Sequence, residues 1–159
     1  MTASKTLFID RANSATARAA FDGAAKTIRN ERQNVFIFPE GTRSYTSKPD
    51  MLPFKKGAFH LAIQAGAPIV PVVVENYSWL LNVKERRFTS GTIHVTVLPP
   101  IETNGLAKED IDRVMGKMRS DMLVELEAMY KERFGAAALG EGSATTTTAS
   151  STGVDVKRR

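Results

Sequence analysis

Glu40, Gly41, Thr42 and Arg43 follow directly on an apolar run and Pro39, in the stretch "VFIFPEGTRSY" at residues 35–45. A guanidinium placed there can grip two oxygens of one phosphate, through charge-assisted hydrogen bonds worth about 1.5–3 kcal/mol each. Gly41 lets the backbone turn tightly or come close to a ligand. Glu40 repels an anion, so it must serve in some other way. It could orient an arginine or the loop amides, or accept a hydrogen bond from a substrate hydroxyl. A surface turn closed by a local Glu–Arg pair, worth under about 1 kcal/mol, fits these residues equally well. Two further basic groups stand at element ends. "FIDR" (8–11) closes with Arg11, and "PFKKGAF" (53–59) sets Lys55 and Lys56 just ahead of a helix start, where anions are favoured. Each alone is more commonly a solvated charge; together they could meet on one phosphate.

The elements that would position these groups alternate between strand and helix. "TLFID" (6–10) predicts a short strand. Asn13 caps a helix whose apolar positions are Ala17, Ala20, Phe21, Ala24 and Ile28. "NVFIF" (34–38) is a continuous apolar run of strand length, as expected where both sheet faces are covered. A polar loop follows from Pro39 to Pro53. "KGAFHLAIQAG" predicts a short helix stopped by Gly66. "PIVPVVVE" (68–75) predicts a central strand with Pro71 at a bulge or at its start, and "TIHVTVL" (92–98) alternates as a half-exposed strand does. Ile111, Val114, Met115, Met118, Met122, Leu126 and Met129 mark one face of a long helix. The pattern predicts an α/β fold: a mixed, largely parallel sheet flanked by helices. It occupies residues 1–135; beyond them 136–159, mostly Ala, Gly, Ser and Thr before a basic end, reads as a disordered tail.

Composition narrows the classes. With no cysteine there is no disulfide, thiolate nucleophile or cysteine-ligated metal, and the net charge of +5 favours an anionic partner. No apolar core of secretory type stands in the first twenty residues. The longest apolar run, 67–74, is far short of the roughly 20 residues a bilayer span needs. Nucleic acid is disfavoured as a partner, because aromatic and basic residues do not alternate on any strand. "NYSWLLNVKERRF" (76–88) brings Trp79, Leu80 and Leu81 beside Lys84, Arg86 and Arg87, a mixture suited to a membrane surface, although core packing explains Trp79 equally well.

"FIDR", "FPEGTRS" followed by "LPFKKGAFHLA", and "PIVPVVV" resemble, in order and spacing, three of the four motif blocks of the glycerophospholipid acyltransferases, most nearly the eukaryotic lysophosphatidate acyltransferases. The resemblance covers about residues 5–130. It implies acyl transfer from acyl-CoA, a co-substrate, to the hydroxyl of lysophosphatidate, giving phosphatidate with no bound cofactor or metal. It further implies that Arg11 binds the acceptor phosphate. Glu40, Gly41, Thr42 and Arg43 would form the main acceptor site with Lys55 and Lys56 nearby; Pro39 and Pro71 are structural. It also implies the endoplasmic reticulum membrane as the location of the full-length family member.

The family's first block, H-x-x-x-x-D, supplies a histidine as general base on the acceptor hydroxyl. Neither histidine here fits it: Ala65 stands five residues after His60, and Pro99 five after His94. Both read as structural, so no catalytic residue is assigned. The expectation is a chain truncated upstream of Met1, with an in-frame H-x-x-x-x-D in the preceding coding sequence. The alternative is a non-catalytic phospholipid-phosphate-binding remnant.

Overall fold

The computed structural model describes residues 14–135 and 154–158, and the side chains of 22–135. The expected strand at 6–10, Arg11 and the Asn13 cap lie outside the described residues. The chain divides into two compact units: residues to Pro39 with Lys55–Ile69 and Ile101–Met115, and Glu40–Phe54 with Val70–Pro100 and the chain from Gly116.

In the first unit, α1 (Ser14–Glu31) packs against α2 (Gly57–Ala65) through Ala25, Leu61 and Ala65, flanked by Ala24, Ile28 and Ala67. Helix α2 stops where the sequence predicts. Gly66 takes φ 63°, and the amides of Gly66 and Ala67 return to the carbonyls of Ile63 and Ala62. A side chain at that backbone conformation costs roughly 1–2 kcal/mol, which is why glycine stands there. Arg29 donates to the carbonyls of Gln64 and Ala65, covering orphan acceptors at the negative end of the helix. Buried Thr103 sets its hydroxyl 2.8 Å from the Ala67 carbonyl.

A 3-10 turn, Lys108–Asp110, leads into α3 (Ile111–Phe134). Asp110 accepts from Arg113 Nη2 at 2.7 Å and from the Ala107 amide at 3.0 Å. The bond from Arg113, then that from Ala107, holds its carboxyl below the ordinary carboxylate range. A depressed carboxyl contributes stability above the unfolded-state pKa and loses it as pH falls through the folded value. Asp110→Asn is therefore expected to lower the urea midpoint slightly at neutral pH and to leave it unchanged in strong acid.

Helix α3 buries Ile111, Val114, Met118, Met122, Leu126 and Met129, the face its periodicity marks. Its first turn belongs to the first unit and the remainder, from Gly116, to the second. In the second unit β1 (Val72–Val74) pairs antiparallel with β4 (Ile93–Val97), which pairs parallel with β5 (Val154–Arg158). Val73 stands opposite Thr96 and both are buried. Thr96 Oγ1 lies 3.8 Å from Met129 Sδ, so α3 covers that face of the sheet. Leu81–Asn82 (β2) and Arg87–Phe88 (β3) form a separate antiparallel hairpin.

The mixed α/β class is as expected, but several elements differ. "NVFIF" forms no strand. No described segment pairs with it, and an apolar run without ladder partners stays irregular, with Phe36 71% and Phe38 73% exposed. Strand β1 starts only after Pro71, which lacks a ladder amide, and β4 is its neighbour among the described residues. Of the tail expected to be disordered, Val154–Arg158 instead extends the sheet. The hairpin has no counterpart among the expected elements, because two-residue strands leave no periodicity to read.

Candidate functional site

The loop Glu40–Phe54 follows Pro39, whose carbonyl accepts the amide of Lys55 at 2.7 Å, both residues belonging to the first unit. Within the second unit the loop is pinned at three places. Glu40 Oε2 accepts the Leu52 amide at 2.8 Å, bridging the start of the loop to its end. Arg119, from α3, donates to the Met51 carbonyl and lies 3.6 Å from Asp50. Its Nε is buried without a hydrogen-bond partner among the described residues. Asn76 donates both amide hydrogens, to the carbonyls of Thr46 at 2.8 Å and Lys48 at 2.9 Å, while its Oδ1 accepts the Ser78 amide. Gly41 has φ 70°, where any other residue is strained.

Thr42, Arg43 and Tyr45 are exposed on this pinned loop. Arg43 makes no ion pair with another described residue, and Glu40 turns to the loop amide rather than to Arg43. Of the roles open to Glu40, the geometry matches bracing of the loop. A free guanidinium on a fixed backbone can take up an anion without first breaking an internal pair, and little loop entropy is lost when it does.

The remaining sequence-derived residues are placed as follows. Lys55 and Lys56 belong to the first unit; Lys56 pairs with Asp112 at 2.7 Å, both side chains well exposed. Pro71 is buried in the second unit, and its carbonyl accepts the Leu98 amide at 3.0 Å. His60 is exposed on α2, and His94 Nδ1 lies 3.5 Å from Glu75 Oε2. Among the described residues no group of His, Asp and Glu could hold a metal ion, and no helix is long and apolar enough to cross a membrane.

Sequence reasoning missed a charged cluster in the second unit. Glu75, 3% exposed, receives two hydrogen bonds from Arg133, Nε to Oε2 at 2.8 Å and Nη2 to Oε1 at 2.7 Å. Arg133 also donates to the Thr92 carbonyl at 3.0 Å and lies over the Trp79 ring at 4.4 Å. One signal was available: counting by two from Val73 puts Glu75 on the covered face, and a buried carboxylate needs a cationic partner.

An acyltransferase family model matches residues 1–75. Over 117 residues, 74% of its length, the chain is 45% identical to human 1-acyl-sn-glycerol-3-phosphate acyltransferase alpha, of which it covers 41%. Over these residues the chain is similar to acyltransferases. The chain is also 43% identical over 127 residues to the 1-acyl-sn-glycerol-3-phosphate acyltransferase of Saccharomyces cerevisiae, covering 80% of its own length and 42% of the yeast protein. It spans about two fifths of the length of these curated relatives. In structure it is similar to the 1-acyl-sn-glycerophosphate acyltransferase PlsC of Thermotoga maritima, with a TM-score of 0.54 and 27% identity over 70% of this chain and 46% of that one. The expected acyltransferase fold is thereby met. Arg11, Pro39 to Arg43, Lys55, Lys56 and Pro71 all fall within the family match; Arg119 and Arg133 lie beyond it.

Proposed function

We propose that this chain is the acceptor-binding part of an acyl-CoA-dependent 1-acyl-sn-glycerol-3-phosphate O-acyltransferase, forming phosphatidate from lysophosphatidate in phospholipid synthesis. The observation that carries the reading is the braced loop. Glu40 ties to the Leu52 amide, Gly41 takes the turn, and Arg43 is left exposed with no ion-pair partner among the described residues. Arg43 holds the acceptor's phosphomonoester, Thr42 lies beside it, and Glu40 keeps the backbone in place. By the family resemblance Arg11, Lys55 and Lys56 also serve acceptor binding, and the chain's charge of +5 draws in an anionic acceptor. For the phosphate to engage Lys56, its exposed pair with Asp112 must open, at a cost of under about 1 kcal/mol.

Acyl transfer also needs a base for the acceptor hydroxyl. No histidine here has aspartate five residues on, and loss of a general base alone slows such a step about 10²–10⁴-fold. The 159-residue chain therefore binds the acceptor and transfers acyl groups negligibly. The same absence favours, as a second reading, a non-catalytic binder of phospholipid phosphates. By the same resemblance, the reading places the full-length protein at the endoplasmic reticulum membrane with acyl-CoA as donor.

Titration calorimetry tests the reading, with lysophosphatidate and lysophosphatidylcholine below their micelle concentrations. Saturable binding of the phosphomonoester alone is expected, and no free CoA on adding acyl-CoA. Equal binding of both lipids would overturn the acceptor assignment; CoA release at the rate of full-length relatives would overturn the predicted inactivity.

A further inference from the structure

The β2–β3 hairpin presents an apolar cluster that the acceptor loop does not use. Leu81 and Phe88 stand directly opposite each other across the hairpin, so their side chains share a face. Phe88 is 85% exposed, Val83 68% and Leu81 42%. Isolated exposed apolar residues are ordinary, but three on one short hairpin form a patch. Basic groups border it. Lys84 and Arg86 are exposed, and Arg87 is paired with Glu85, so the tip carries net positive charge.

The hairpin is also held firmly. Asn82 Oδ1 accepts the amides of Lys84 at 3.1 Å and Glu85 at 3.2 Å, and the Thr89 amide returns to the Leu80 carbonyl at 2.9 Å. Leu80 is buried at the base, and Trp79 lies under Arg133 with no room for a Cβ at Gly91 beside it. Trp79 and Leu80 thus anchor the hairpin, while Leu81, Val83 and Phe88 face solvent.

We infer that the 81–88 hairpin docks the protein onto an anionic phospholipid surface, with Leu81, Val83 and Phe88 entering the headgroup–acyl boundary and Lys84 and Arg86 lying against lipid phosphates. Charge complementarity selects this occupant. Apolar side chains bordered by cations match a surface whose interior is hydrocarbon and whose boundary is negative, and each basic residue near it adds attraction. The inference does not depend on the acceptor assignment, because no acceptor is needed to observe it.

The chain has no cysteine, so single thiols can be placed at will. Val83→Cys and, on the exposed side of α3, Ser120→Cys are each labelled with an environment-sensitive dye. They are mixed with phosphatidylcholine vesicles, with or without about 30 mol% phosphatidylserine. A blue shift at position 83 only, and only with the anionic vesicles, is expected. In the Val83→Cys background, Lys84→Glu with Arg86→Glu is expected to weaken partitioning by about tenfold or more. These are surface changes, and an unchanged far-ultraviolet spectrum checks the fold. Absence of a shift at 83, equal shifts at 83 and 120, or equal binding to uncharged vesicles would each overturn the inference. Concentration-dependent dimerisation abolished by Phe88→Ser, without vesicle binding, would overturn it in favour of a second copy of the chain.

Discussion

Arg133→Ala is expected to destabilise the second unit by about 3–5 kcal/mol, the range for breaking a buried ion pair by removing one partner. Glu75 would lose its guanidinium partner in a site only 3% exposed, with His94 Nδ1 at 3.5 Å and the Thr92 carbonyl freed as well. Arg133 itself is well covered, its side chain 18% exposed, so solvent screening relieves little of the loss. The large cost of breaking the pair does not make the pair itself strongly stabilising. Desolvating both ions opposes their attraction, and Glu75→Leu combined with Arg133→Met is expected to recover most of the stability lost in the single variant. Trp79 is the only tryptophan and sits under Arg133, so its fluorescence during urea unfolding reports on this unit directly. A loss below about 1 kcal/mol would mean that the pair behaves like an exposed one.

The second large effect falls on binding. Arg43→Ala is expected to weaken lysophosphatidate binding by roughly 10- to 100-fold, the equivalent of one charge-assisted contact. The variant should unfold at the same urea concentration as the parent, since Arg43 has no ion pair to lose among the described residues. Glu40 separates bracing from charge. Glu40→Gln keeps a side-chain acceptor for the Leu52 amide at nearly the same place, and affinity should stay within a few-fold of the parent. Glu40→Ala leaves that amide without its acceptor and should loosen the loop, reducing affinity and raising exchange of the Leu52 amide with solvent. If Glu40→Gln weakened binding as much as Arg43→Ala while amide exchange stayed unchanged, the carboxylate would belong to the ligand and not to the loop. All three variants are checked by the same calorimetric titration.

What sequence reasoning recovered and what it missed divide along physical lines. Helices α2 and α3 were legible because their signals are local: Gly66 supplies a left-handed stop, and an apolar side chain recurs at three- and four-residue spacing from Ile111 to Met129. The turn at Gly41 was legible for the same reason. "NVFIF" misled because strand formation is a pairwise property. The run has the composition of a buried strand, yet composition supplies no hydrogen-bonding neighbour. Glu40 was recognised as needing a partner, but the partner, twelve positions along, is a backbone amide and carries no side-chain signature. Arg119 and Arg133 were missed because they sit on a helix full of solvated charges. Nothing local distinguishes Arg133, which reaches a carboxylate 58 positions away, from Lys131 or Glu132 beside it.

Asn76 ties the loop to the segment that leads into the hairpin. Its carboxamide nitrogen is the common fastening for Thr46 and Lys48, and its oxygen starts the turn that leads through Ser78 to the base of the hairpin. The arginine-bearing loop and the basic hairpin are thus moored to the same post, directly after the buried Glu75. An aspartate there, with acceptors and no donor, would set its charge against two carbonyl oxygens and release the loop at Thr46 and Lys48, leaving the ties at Glu40 and Arg119. The same change would leave the turn at Ser78 intact.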